Sequence, residues 1–87
     1  RQMCIRDSHP QDADSAIWVG RRLAYLGRHR EAIDAFGRGL AMHPTDARFL
    51  RHRGHRYLTT RRLDLAVEDL SRAARMVEGT ADAVEPD

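Results

Sequence analysis

Lysine is missing from this chain of 87 residues: all fifteen basic side chains are arginine. Set against thirteen acidic residues they leave a formal net charge of +2. That is too near balance to announce a nucleic-acid partner, which calls for a strongly basic face. Arginine itself suits carboxylate or phosphate recognition. A single cysteine, Cys4, excludes an internal disulfide. No apolar run approaches the ~18 residues that a membrane span requires. No basic segment followed by an apolar one marks a leader. No Gly-rich loop follows a strand-like run, and no Ser/His/Asp set shares a helical face. These absences predict a non-catalytic chain with no cofactor, no metal and no membrane partner. They leave the compartment open between cytoplasm and periplasm. At this length one small domain is the limit, and its core is marginal.

What is present is a hidden period. Residues 13–46 and 47–80 match at a shift of 34. Gly20 falls on Gly54, Ala32 on Ala66, Leu23 on Tyr57, Ile33 on Val67, Phe36 on Leu70 and Gly39 on Ala73. Arg22, Arg28, Arg38 and Met42 meet identical residues. Identity is low, but small residues meet small ones and large apolar residues meet large apolar ones. A fixed period of this length marks a stacked repeat architecture. The first eight residues, RQMCIRDS, follow no pattern and look like a translated sequencing adapter. The expected organisation is an artefactual, disordered leader at 1–11, one repeat at 12–45, a second at 46–78 and an acidic flexible tail at 79–87.

Each unit reads as two helices. Asp12 or Asp14 caps the first, which runs to about Leu26, where Gly27 breaks it. The second runs from about Arg30 to Met42 and is stopped by Pro44. Thr45 or Asp46 caps the third, which ends near Thr59. The fourth spans about Leu63 to Val77. Loops of three or four residues make each pair antiparallel. Gly20 and Gly54 sit mid-helix, where glycine costs about 1 kcal/mol against alanine. Two such costs at one repeat position predict close helix–helix approach, and a leucine at Gly54 should disturb the fold more than any change on an exposed face. Met42 and Met76, also at one repeat position, read as core packing.

These residues resemble the tetratricopeptide repeat family. Gly20, Leu23, Ala32, Phe36 and Pro44 match its pattern in the first unit; Gly54, Tyr57, Ala66, Leu70 and Ala73 match it in the second. The resemblance covers 13–78. It departs at Trp18, two residues after the usual aromatic, at Gly39 in place of alanine, at Arg53 in place of leucine and at Glu78 in place of the closing proline. The stretches WVGRRLAYLGR, LRHRGHRY and VEGTADAVEPD also look like bacterial proteins in which more repeats follow a spacer. The resemblance implies an all-α fold: two tandem helix-turn-helix repeats, a segment of a right-handed solenoid. It also implies a concave surface, formed by the first helix of each unit, that binds peptides.

The stretch LRHRGHRYL, residues 50–58, tests that implication. On a helix Ala47, Leu50, Gly54, Tyr57 and Leu58 share one face, and Arg48, Arg51, His52 and His55 another. Phe49 is left to pack on the preceding helix pair. By the resemblance, Arg48, Arg51, His52 and His55, with Ile17, Trp18, Arg21 and Tyr25 of the first unit, form the peptide-binding face. Its arginines fit a carboxylate, so an acidic peptide is the partner they suit, with neighbouring repeats of the same chain as further partners. The family's carboxylate clamp of Lys and Asn is not repeated, since Ile17, Arg21 and His52 stand there. Two histidines fall short of a zinc site, and flanking arginines repel a cation. Trp18 and Tyr25 beside arginines could stack single-stranded nucleic acid, but dispersed acids oppose it. Trp18 equally suits packing against a helix on its N-terminal side.

The expected function is therefore a protein- or peptide-binding scaffold segment. The alternatives are a structural spacer or assembly repeat with no ligand of its own and, less favoured, a nucleic-acid-binding helical surface. Two repeats fall below the ~3 units that bury a continuous core. The chain alone should then be unstable or self-associating, with part of an apolar face of the last helix, including Val67 and Leu70 or their neighbours, exposed.

Overall fold

A computed structural model describes residues 12–78, and they form four helices and no strand. The helices are α1 (Ala13–Tyr25), α2 (His29–Met42), α3 (Ala47–Thr59) and α4 (Leu63–Met76). The expected leader and acidic tail lie outside the described residues. No helix among them is long and apolar enough to cross a membrane. Each helix packs mainly on its neighbours in the chain, α1 on α2, α2 on α3 and α3 on α4, and α1 touches α3 lightly. The result is an all-α, repeat-like stack.

The 34-residue period is written into the helix ends. Asp12 caps α1, accepting from the Ser15 N–H at 3.3 Å, and Asp46 caps α3, accepting from the Arg48 N–H at 3.1 Å. Both satisfy a backbone donor that the helix itself leaves open. Asp12 and Asp46, rather than Asp14 and Thr45, fill the role. The C-terminal ends match as well. Arg28 donates its N–H to the Leu23 carbonyl at 2.9 Å, and Arg62 to the Tyr57 carbonyl at 2.8 Å. This reversal closes around a residue with positive φ: Gly27 at 80° in the first pair and Arg61 at 66° in the second. Arginine pays a steric cost there that glycine does not.

Packing follows the small–large pattern. Phe36 lies directly over Gly20, so a Cβ at Gly20 would collide with its ring. At the equivalent place Leu70 lies over Gly54, and a Cβ there would come 2.7 Å from Leu70 Cγ. The two glycines thus mark helix–helix approaches that only a missing side chain allows. Phe49 fills the gap beside Gly39 of α2, on the preceding pair. One core joins Ile17, Ala32, Phe36 and Phe49; a second joins Ala47, Leu50 and Ala73, and Leu40 packs on both.

Several side chains depart from the sequence expectation. Leu70 is half-buried because it covers Gly54, while Val67 is exposed as expected. Met42 and Met76 are 48% and 36% exposed rather than core residues, because each sits at the last residue of its helix, beyond the packed stripe. Leu58 is exposed and Tyr57 half-buried, so the apolar face of α3 narrows to Ala47, Leu50 and Gly54.

Candidate binding surface

The eight candidate residues separate into three environments. Ile17 belongs to the core: it is 7% exposed and packs with Ala32, Phe36 and Phe49. The expectation that it lines an open face is therefore corrected. Phe49 of α3 reaches the cluster that holds Ile17 of α1, and a helix seen in isolation gives no sign of that closure.

Trp18, Arg21 and Tyr25 form an open patch on α1. Trp18 is 55% exposed and Tyr25 is 72% exposed. One turn apart, Arg21 donates from Nη2 to the Tyr25 hydroxyl at 3.0 Å, and its guanidinium carbon lies 5.8 Å from the Tyr25 ring centroid. Arg22 takes the same relation to Trp18 at 5.9 Å. The two cation–π pairs hold flat apolar surface and forked donors side by side. Arg22 was absent from the sequence expectation. Its i, i+4 spacing from Trp18 was the signal that could have found it.

Arg48, Arg51, His52 and His55 on α3 are half-buried. Arg48 is engaged within the chain. It grips its own cap residue, Asp46, at 2.7 Å and reaches Asp14 of α1 at 2.9 Å. The hydrogen bonds from the Arg48 side chain hold the Asp46 carboxyl below its ordinary range, and Asp46 in turn raises Arg48. Arg48 is thus a clasp between α1 and α3, not an open donor. Asp14 and Arg48 occupy one repeat position with opposite charge, which is the sequence signal for the clasp. His52 stacks on Phe36 of α2, ring centroids 5.3 Å apart. His43, which ends α2, stacks likewise on Phe49 at 5.9 Å. His29 opens α2 with its Nδ1 buried and without a hydrogen bond.

One buried polar contact escaped the sequence. Asp69, its side chain only 5% exposed, accepts from Arg53 Nε at 2.7 Å and from Nη2 at 3.0 Å. This forked pairing joins α3 to α4, and the bond to Asp69 raises the Arg53 pKa. Arg53 also lies over the Tyr57 ring at 5.7 Å. Two signals could have found the pair: an arginine where the repeat pattern has leucine, and an aspartate in the buried column Ala66, Asp69, Ala73.

Among the described residues no group of three or more His, Cys, Asp or Glu side chains gathers as a metal ion requires. A shallow depression at the α3–α4 turn is lined by Arg61, Arg62, Leu63, Asp64 and Leu65, away from every candidate residue. No family model, no curated protein and no solved structure matches the chain.

Proposed function

We propose that the four helices are two tetratricopeptide-like repeats, a segment of a right-handed solenoid, and that the chain is a non-catalytic scaffold that binds an acidic peptide or protein segment. The observation that carries this reading is the α1 patch, where Trp18 and Tyr25 stay open with Arg21 and Arg22 laid against them. Aromatic and arginine side chains are the types that dominate binding hot spots. Arginine forks match carboxylates in bidentate fashion. The 34-residue recurrence of caps, turns and glycine clefts supports the repeat assignment. Arg51 and His55 on α3 extend the surface; Arg48 contributes by holding α1 against α3.

Titration of acidic and basic peptide pools at two salt concentrations tests the reading. Acidic peptides should bind, more weakly as salt rises, and Arg21→Glu should abolish the binding. Preference for basic peptides, or indifference to Arg21→Glu, would favour the second reading, a spacer or assembly segment. That second reading draws on Leu63 and Val67, exposed apolar residues one turn apart on α4.

A further inference from the structure

The two helices that carry the proposed surface are poor in acid. Asp14 is the only acidic residue in α1, and α3 has none, against Arg21, Arg22, Arg48, Arg51, Arg53 and Arg56. Glu31, Asp34, Asp64, Glu68 and Asp69 all belong to α2 and α4. Asp14 also begins the line of the open patch. Trp18, Arg21 and Tyr25 follow it at steps of four, three and four residues, and such steps stack side chains on one side of a helix. An acidic ligand laid along Trp18 and Tyr25 therefore meets a carboxylate of its own sign at the N-terminal end of the patch.

That carboxylate is already paired as a ligand's would be. Arg48 donates from Nη1 to Asp14 Oδ1 at 2.9 Å. The rest of the guanidinium is held by Asp46: Nε donates to Oδ1 at 2.9 Å and Nη2 to Oδ2 at 2.7 Å. The two carboxylates differ in how firmly they are placed. The Asp46 side chain is 21% exposed, and it caps the helix to which Arg48 belongs; the Asp14 side chain is 80% exposed and reaches across from α1. Asp46 alone thus fixes the pose of Arg48. Asp14 occupies the remaining terminal nitrogen, in an exposed pairing of the kind that contributes little to stability.

We infer that Asp14 is a built-in competitor for the binding surface: it fills the place on Arg48 that a carboxylate of the acidic ligand takes over. The inference rests on the acidic-peptide reading and gives that surface a closed and an open form. Without ligand, Asp14 closes one end by pairing with Arg48. With ligand, a carboxylate from outside replaces Asp14 one for one. Arg48 keeps its fork on Asp46 throughout, so the guanidinium is already posed when Asp14 leaves. The exchange trades one exposed ion pair for another, and the affinity that the competitor removes is therefore small and measurable. A clasp needed only for structure would behave in the opposite way, because its loss would loosen α1 from α3 and weaken binding.

The test is titration of the 87-residue chain with acetylated oligoglutamate at low salt, where exposed charges act most strongly. Fluorescence of Trp18, the only tryptophan, reads the binding, and oligoglutamine is the blank. Asp14→Ala removes the competitor. Asp34→Ala removes the same charge from an exposed position on α2. Asp14→Ala with Arg48→Gln removes both partners of the clasp. Asp14 and Asp34 are exposed, and circular dichroism of every chain should match the unaltered one. Asp14→Ala should bind about two- to fivefold more tightly than the unaltered chain, the strength of an exposed ion pair. Asp34→Ala should bind as the unaltered chain does, and the double variant should lose the gain. If Asp14→Ala binds no more tightly than Asp34→Ala, or if the double variant keeps the gain, the inference is overturned, while binding by the unaltered chain leaves the peptide reading standing. Binding by none of the chains, Asp14→Ala included, overturns both.

Discussion

Gly54→Ala should destabilise the chain, although alanine is the better helix former. The substitution gains about 1 kcal/mol of helix propensity. The new Cβ, however, would lie 2.7 Å from Leu70 Cγ and 2.8 Å from Leu70 Cδ2. Carbon atoms rest at about 3.5–4.0 Å, so α3 and α4 must part or Leu70 must leave its rotamer. Such overpacking costs about 1–3 kcal/mol. Taking the middle of that range, the net loss is about 1 kcal/mol. In a Leu70→Ala background both colliding atoms are gone, and the next nearest atom is Asp69 Cβ, at 3.3 Å. There the same substitution should be neutral or stabilising by up to about 1 kcal/mol. The coupling energy is then about 1–2 kcal/mol, outside the ~0.5 kcal/mol that independent sites show. Urea unfolding of the four chains, followed by helix ellipticity, measures it. If Gly54→Ala stabilises the unaltered chain, or if the two changes simply add, the close approach at Gly54 does not hold α3 to α4.

Arg61→Gly should stabilise the fold by about 0.5–1 kcal/mol, seen as a higher urea midpoint, because Arg61 holds a left-handed conformation that its counterpart Gly27 takes without strain. Asp46→Ala should cost about 1 kcal/mol at neutral pH through loss of the α3 cap. The Asp46 carboxyl is held below its ordinary value by Arg48, so its contribution is complete above the unfolded value of about 3.9 and fades as pH falls through the lower folded one. An acid titration of stability should therefore bring Asp46→Ala and the unaltered chain together at low pH, and a constant gap would refute this. Arg53→Ala should cost about 3 kcal/mol by leaving the buried Asp69 carboxylate unpaired, whereas Arg53→Leu with Asp69→Leu should be near neutral; urea midpoints of the two variants give the ranking.

The helix order, the three turns and the two glycine clefts could be read from the sequence because each depends on neighbours within a few residues or on the 34-residue shift. Gly27 and Pro44 stop helices by their own backbone chemistry. Gly20 and Gly54 announce a close approach because glycine has no other reason to sit mid-helix. The candidate surface was less legible, because burial there is decided by a third helix. Ile17 looks like an outward residue of α1 until Phe49 of α3 arrives beside it. Arg48 looks like an open donor until Asp14, one repeat earlier, takes it. Arg53 and Asp69 lie on different helices, and neither reveals the other through local periodicity. Trp18, Arg21 and Tyr25 held their expected exposure, since no helix among the described residues covers that side of α1.

Peptide binding on the α1 and α3 faces is tested most directly by nuclear magnetic resonance of the labelled chain during titration with an acidic peptide. The indole N–H of Trp18 and the backbone signals of Arg21, Tyr25, Arg51 and His55 should shift together and saturate with one affinity, while Leu63, Val67 and Ala74 of α4 stay still. Shifts confined to α4, or none at millimolar peptide, would contradict the scaffold reading.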